Sequence, residues 1–262
     1  MIGALLFAAA QGVLLEDLTW IEAEKVLGPE TVVVIPLGAA SKEHGPHLKL
    51  KNDLILANDL KERVRRRADV VIAPTIPYSF YPAFVEYPGS TSLTLETARD
   101  TVVEICRGLS RFGPKRFYVL NTGVSTVRAL APAVEMLAAD GIVMRYTDIP
   151  KALGPTEKAI AKQEGGTHAD EIETSMILYM SPGDVDMGKA VKDYHPGTGS
   201  LTRDQKAEGK TYSPTGVFGD ATLATKEKGR IVTEAVVDAI LGEIEDLRKA
   251  AAPAVVPKGP VR

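Results

Sequence analysis

A chain of 262 residues is long enough for one substantial domain and does not force a division into two. A formal charge of −3 on a near-average globular composition gives no electrostatic case for a nucleic-acid partner or an anionic membrane surface, so neither is expected. The single cysteine, Cys106, excludes an intrachain disulfide and any cysteine-based zinc cluster.

The segment from Met1 to Gln11 is apolar and ends in small residues like those before a signal-peptidase site, but no positive region precedes it and it is too short to span a bilayer. It reads as a signal-peptide remnant, which implies a periplasmic or secreted protein, or as a packed N-terminal helix, which leaves the chain cytoplasmic. Residues 1–30 are set apart on this ground. The run 31–37 is β-branched and apolar, as a strand buried on both faces of a parallel sheet requires. A helix follows over 53–66, then a strand over 70–76 and a helix over 95–109, in which Cys106 reads as core among Val102, Val103 and Ile105. A strand over 116–121, a helix over 126–139 and a strand over 142–146 continue the alternation. Such βα units predict an α/β protein with three αβα layers, a mainly parallel central sheet and right-handed crossovers.

After Asp148 the pattern changes to a helix over 171–180, stopped by Pro182, and a polar stretch over 189–213 that is long enough for a lid or subunit-contact loop. A last amphipathic helix runs to about Arg248. The domain therefore covers 31–248, and the tail 249–262 reads as mobile. The basic run from Lys61 to Arg67 lies at a helix end, where a solvated face explains it.

Three loops follow strands and meet over the carboxyl edge of such a sheet, where function gathers. The first holds Lys42, Glu43, His44, His47 and Asp53, whose imidazoles and carboxylates suit Zn, Mn or Fe; alone, it reads as an ordinary polar loop. In the second, Asn121-Thr-Gly-Val-Ser-Thr126, Gly123 permits a tight turn and Ser125 or Thr126 caps the next helix. No histidine lies there to activate a serine. The third runs from Gly165 to Ser175. Thr167 and Asp170 have capping-box spacing, while His168 and Glu171, three apart, are expected on one face and Glu173 on another. An imidazole beside two carboxylates offers a proton carrier and a metal ligand.

Five motifs occur in unbroken order between residues 31 and 247: Pro36-Leu-Gly38, His44-Gly-Pro-His-Leu48 with Asp53, Tyr87-Pro-Gly-Ser90, His168-Ala-Asp-Glu-Ile-Glu-Thr-Ser175, and Gly216-Val-Phe-Gly-Asp-Ala-Thr-Leu-Ala-Thr-Lys-Glu-Lys-Gly229. Together they resemble the creatininase (creatinine amidohydrolase) family. The resemblance implies an αβα metal-dependent amidohydrolase, a homo-oligomer and often a hexamer, whose small-molecule substrate is a cyclic amide or formamide, with peptide bonds also cleaved in the family. The family's first motif is Glu-Gln-His-Gly-Pro-His, with the Glu and first His as ligands and a later Asp bridging two metals. Here His44 and Asp53 match, Lys42 stands in place of the Glu, and Glu43 in place of the Gln. The second family motif, Asn-Gly-His-Gly-Gly-Asn, supplies another ligand, where this chain has Gly123.

Both losses fall on one metal. The resemblance leaves His44, Asp53 and Glu173 for one divalent ion, Zn, Mn or Fe, with the Lys42 ammonium partly replacing the lost cation. His168 matches the family's proton-carrying histidine, Glu171 either orients it or is a surface acid, and Glu43 and His47 support the ligands from behind. Asp220 and Thr225 bind loops together or contact another subunit. One function implied is hydrolysis of an amide or cyclic-amide C–N bond, with the metal or Lys42 stabilising the oxyanion. The alternative is an inactive relative with no metal, in which Lys42 pairs with Asp53 or Glu173 and the protein binds a small molecule or partner. Lys42 as a base or nucleophile ranks last.

Overall fold

The computed structural model describes residues 11–255. Its strands are β1 (Val13–Leu14), β2 (Val32–Leu37), β3 (Val71–Ile72), β4 (Arg116–Asn121) and β5 (Val143–Tyr146), which pair in parallel in the order β1-β3-β2-β4-β5. The helices are α1 (Trp20–Val26), α2 (Asn52–Arg67), α3 (Leu95–Ser110), α4 (Val127–Ala139), α5 (Ile149–Ile160), α6 (Glu171–Met180) and α7 (Lys226–Lys249).

Every residue of β2 is buried because successive side chains enter two different cores. Val32 and Val34 join Leu56 and Leu60 of α2, Met176 of α6 and Val236 of α7. Val33, Ile35 and Leu37 join Val102 and Cys106 of α3 and Leu130 and Leu137 of α4. Helices thus cover both faces, giving the expected αβα layering. Burial pushes the Cys106 thiol well above its ordinary range, which keeps it an inert core residue. Among the described residues no helix is long and apolar enough to cross a membrane.

The strand expected over 70–76 is shorter, ending at Ile72, because Pro74 removes a ladder donor. Only an isolated bridge from Leu37 to Ile76 resumes the pairing. Helix α5 was hidden from the sequence by Pro150, Gly154 and Pro155. Pro150 sits in its first turn, where a missing N–H costs nothing, and the Asp148 side chain accepts from Lys151 N. The strand β1 is too short to show a period, and α1 is announced by a capping box between Thr19 and Glu22.

The stretch 189–213 carries β6 (Lys192–Asp193), β7 (Leu201–Thr202) and β8 (Thr211–Tyr212). Strand β6 pairs with β9 (Gly219–Asp220), and β7 with β8. The apolar N-terminal run lies outside the described residues except for Gln11, as does the tail beyond Val255.

The fold sets the site through one close approach. A Cβ on Gly38, just past β2, would lie 2.2 Å from the Asp53 carbonyl oxygen. Glycine there lets the first turn of α2 lie against the strand end, which fixes Asp53 over the sheet edge.

Candidate functional site

The loop after β2, the first turn of α2 and the turn leading into α6 bring His44, Asp53, His168 and Glu173 together with Lys42. All are buried or nearly so. His44 Nδ1 donates to the Lys42 carbonyl oxygen at 2.9 Å. Its Nε2 is thereby turned onto Asp53 Oδ1 at 2.8 Å and Glu173 Oε1 at 3.3 Å. A bare lone pair facing two carboxylates is repelled by them, so this nitrogen calls for a proton or a cation. Burial and the Lys42 ammonium disfavour charge on His44, but Asp53 and Glu173 outweigh them and raise its pKa to about 9. Burial likewise opposes ionisation of Glu173, yet His44 above all holds its carboxyl well below the usual range. Asp53 is lowered against its own burial by Lys42 and then His44.

Lys42 Nζ lies 2.7 Å from Asp53 Oδ2, with 6% and 1% of the two side chains exposed. The ammonium also sits 4.7 Å from the Phe84 ring centre and 5.5 Å from that of Tyr81, within cation–π range. The space beside Gly123, where the resemblance expects a histidine, is tight. A Cβ on Gly123 would meet Thr126 Oγ1 at 3.1 Å and Tyr81 Cε1 at 3.3 Å. Asn121 locks this loop by accepting from Gly123 N and Thr126 Oγ1, so Thr126 serves the loop and does not cap α4 with its side chain. Sequence reasoning missed Tyr81. Its hydroxyl is buried with no hydrogen-bond partner, and its ring lines the same cavity as Lys42 and His168.

Glu171 neither orients His168 nor lies on the surface, since it is fully buried. The helix begins at Glu171 with Asp170 as its N-cap, accepting from Ile172 N and Glu173 N, so His168 precedes the helix and helical spacing does not apply to it. The expected box between Thr167 and Asp170 is therefore not the cap. Glu171 turns away from His168, accepts from Lys162 N and Gln163 N at 2.8 and 2.7 Å, and pairs with Lys228. It fastens the preceding turn to α7.

The carboxylate that orients His168 is Glu43. His168 Nε2 lies 2.9 Å from the Glu43 carbonyl oxygen and 3.1 Å from Glu43 Oε2. Both are acceptors, so Nε2 donates, and Nδ1 lies 3.7 Å from Glu173 Oε2. Glu43 is itself fixed by Gly45 N and by donation from its own N to Ser90 Oγ, which gives the Tyr87-Pro-Gly-Ser90 motif a structural purpose.

His47 Nε2 hydrogen-bonds Thr174 Oγ1 at 2.7 Å, and burial pushes its pKa down to about 4. It braces α6 behind Glu173. The Asp220 side chain caps its own turn by accepting from Thr222 N and Oγ1, while the backbone N–H groups of Asp220 and Thr225 reach Gln163 Oε1 and Ser175 Oγ in distant segments of this chain.

The donor set fits a divalent cation. Ligand atoms of His44, His168 and Glu173 all lie within 4.8 Å of one another. Asp53, expected as the third ligand, is not among these three and is engaged by Lys42. Asn52 Nδ2 at 3.0 Å and Ala169 N at 2.7 Å hold the two Glu173 oxygens. Ala169 adopts a positive φ of 47°, a left-handed turn that brings its N–H onto Glu173.

A parallel sheet with a buried imidazole and carboxylate cluster over its strand ends defines an α/β protein with a candidate cation site at the sheet's carboxyl edge. Within that class, the chain belongs to the creatininase family: the family model described as creatinine amidohydrolase matches residues 16–244. It is 27% identical over 256 residues to the creatinine amidohydrolase of Pseudomonas putida, covering 90% of this chain and 98% of that protein. It is 30% identical over 217 residues to the mycofactocin precursor peptide peptidase of Mycobacterium tuberculosis, covering 79% and 81%. A solved structure described as creatininase Mn superposes with a TM-score of 0.73 at 24% identity, over 92% of this chain and all of the other, and shares the fold.

Proposed function

We propose that this protein is a metal-dependent amidohydrolase that works with a single divalent cation. The observation that carries the reading is His44, whose Nδ1 is committed to a backbone carbonyl while Nε2 faces two carboxylates. His44 and Glu173 would hold the ion, with Asp53 completing the set and His168 left free as the proton carrier. A cation bound there supplies acidity to a water molecule and polarises the scissile carbonyl.

The chain's own groups do the rest. Lys42, beside Asp53, would put a positive charge at the cavity wall, at the position where the resemblance has a ligand glutamate. The Tyr81 hydroxyl, free of any partner, is the second donor for a developing oxyanion. His168, with Nε2–H tied to Glu43, takes up a proton at Nδ1 and hands it to the leaving nitrogen. The aromatic rings of Phe84 and Tyr81 limit water around Lys42.

The inactive reading has its own support in the 2.7 Å contact between Lys42 and Asp53, which fills a cation position electrostatically. Hydrolysis separates the two. The protein loaded with Zn or Mn is assayed for ammonia or amine release from a panel of linear amides, cyclic amides and formamides, before and after chelation. Turnover lost on chelation and restored by the metal supports the enzyme; no turnover of any member with metal bound supports the inactive form.

A further inference from the structure

The cavity that contains Lys42, His168 and Glu173 has a volume of about 430 Å³. That lies within the range of roughly 300–1,000 Å³ that accommodates drug-sized molecules, and a small polar cyclic amide leaves much of it empty. Much of the remaining wall comes from three helices and is apolar. On α2, Leu56 and Leu60 follow Asp53 by three and seven residues and so continue its face deeper into the protein. On α6, Ile172 and Met176 are four apart and share a face next to Glu173. On α5, Ile149, Leu153 and Glu157 recur every four residues and present one stripe to the cavity.

Leu56, Leu60, Ile172 and Met176 are at most 5% exposed and form the packed floor of this wall, while the half-buried Phe84, Ile149 and Leu153 present apolar surface to the cavity. A group placed against these side chains is shielded from water on that side. Hydrophobic side chains around a hydrolytic centre reward apolar surface and offer nothing to a polar ring. Burial, reinforced by nearby Glu171, pushes the Glu157 carboxyl up, in keeping with a wall that disfavours charge.

We propose that the substrate is an amide carrying a bulky apolar group, of about leucine to phenylalanine side-chain size, which the chamber between α2, α5 and α6 holds while the amide faces Lys42 and His168. This rests on the amidohydrolase reading for turnover, but the binding preference follows from the chamber alone.

The test uses the full chain loaded with Zn and two matched pairs of probes. Acetamide against isovaleramide varies the acyl side, and N-methylacetamide against N-benzylacetamide varies the amine side. Calorimetry reads the affinity of all four, and hydrolysis is followed in parallel. The bulky member of at least one pair is expected to bind about tenfold or more tightly, and that pair identifies which side of the C–N bond enters the chamber. Leu153→Trp, which fills the chamber from a partly buried position, should abolish the preference, and Leu153→Ala should keep it. Each preference is a ratio measured on one preparation, so a partly unfolded variant does not distort it. Equal affinities within both pairs, or a preference untouched by Leu153→Trp, overturn the proposal. A preference in binding with no hydrolysis of any probe supports the chamber and counts instead against the enzymatic reading.

Discussion

Replacing Lys42 with methionine probes how a charge substitutes for a metal. Methionine keeps the apolar stem against Phe84 and Tyr81 but removes the ammonium 2.7 Å from Asp53. Both partners are buried, and removing one member of a buried pair costs about 3–5 kcal/mol because the other charge is left uncompensated. For a domain of this size each kcal/mol moves the midpoint by about 2–4 °C, so the metal-free variant should melt roughly 6–20 °C below the wild type. A cation can then take the ammonium's place on Asp53. Zinc at a hundredfold excess over its Kd restores about 2.7 kcal/mol per site, and Lys42→Met should gain more from added zinc than the wild type does. Differential scanning calorimetry with and without metal measures both effects. A variant within about 1 kcal/mol of wild type, with no greater response to zinc, would refute the idea that Lys42 holds a cation's position.

Three further outcomes follow from the geometry. His47 has a folded pKa of about 4 against an ordinary 6.5, so the unfolded chain binds its proton first as pH falls. Its contribution is present above pH 6.5 and lost towards pH 4, by about 3 kcal/mol in all. Asp170, raised to about 7, acts in the opposite sense over an overlapping range, so the comparison to make is wild type against His47→Gln in denaturant melts of chelated protein. Parallel profiles would discard the assignment. Tyr81→Phe keeps the ring that closes the space at Gly123 and should lower kcat by roughly 10²-fold with little change in KM; an unchanged kcat removes Tyr81 from the reaction. Ala169→Gly relieves a left-handed φ and should stabilise the fold by about 0.5–1 kcal/mol without altering metal content, whereas a loss of stability would show that the methyl group is needed for packing.

The αβα layering was legible because each βα unit carries its own period, and β2 and β4 matched their hydrophobic runs closely. Helix α5 was not, since its two prolines and Gly154 are local breakers that tertiary packing overrides. The gathering of His44, Asp53, His168 and Glu173 was visible from motif order. The partner of His168 was not: sequence spacing left Glu171 open as an orienting group or a surface acid, and the α6 N-cap at Asp170 sends the two residues in different directions. Glu43 reaches His168 across 125 positions of the chain, a separation that no local pattern encodes. Tyr81 lies in a loop with no periodic signal, and its approach to Gly123 joins positions far apart in the chain.

The central claim is one divalent cation centred on His44 and Glu173, beside a Lys42 that stands for a second. Metal content measured by plasma emission spectrometry, on protein purified without chelator and then equilibrated with Zn or Mn, tests it most directly. The expected result is about one ion per chain in the wild type and none in His44→Ala or Glu173→Ala. No bound metal, or two per chain, would contradict it.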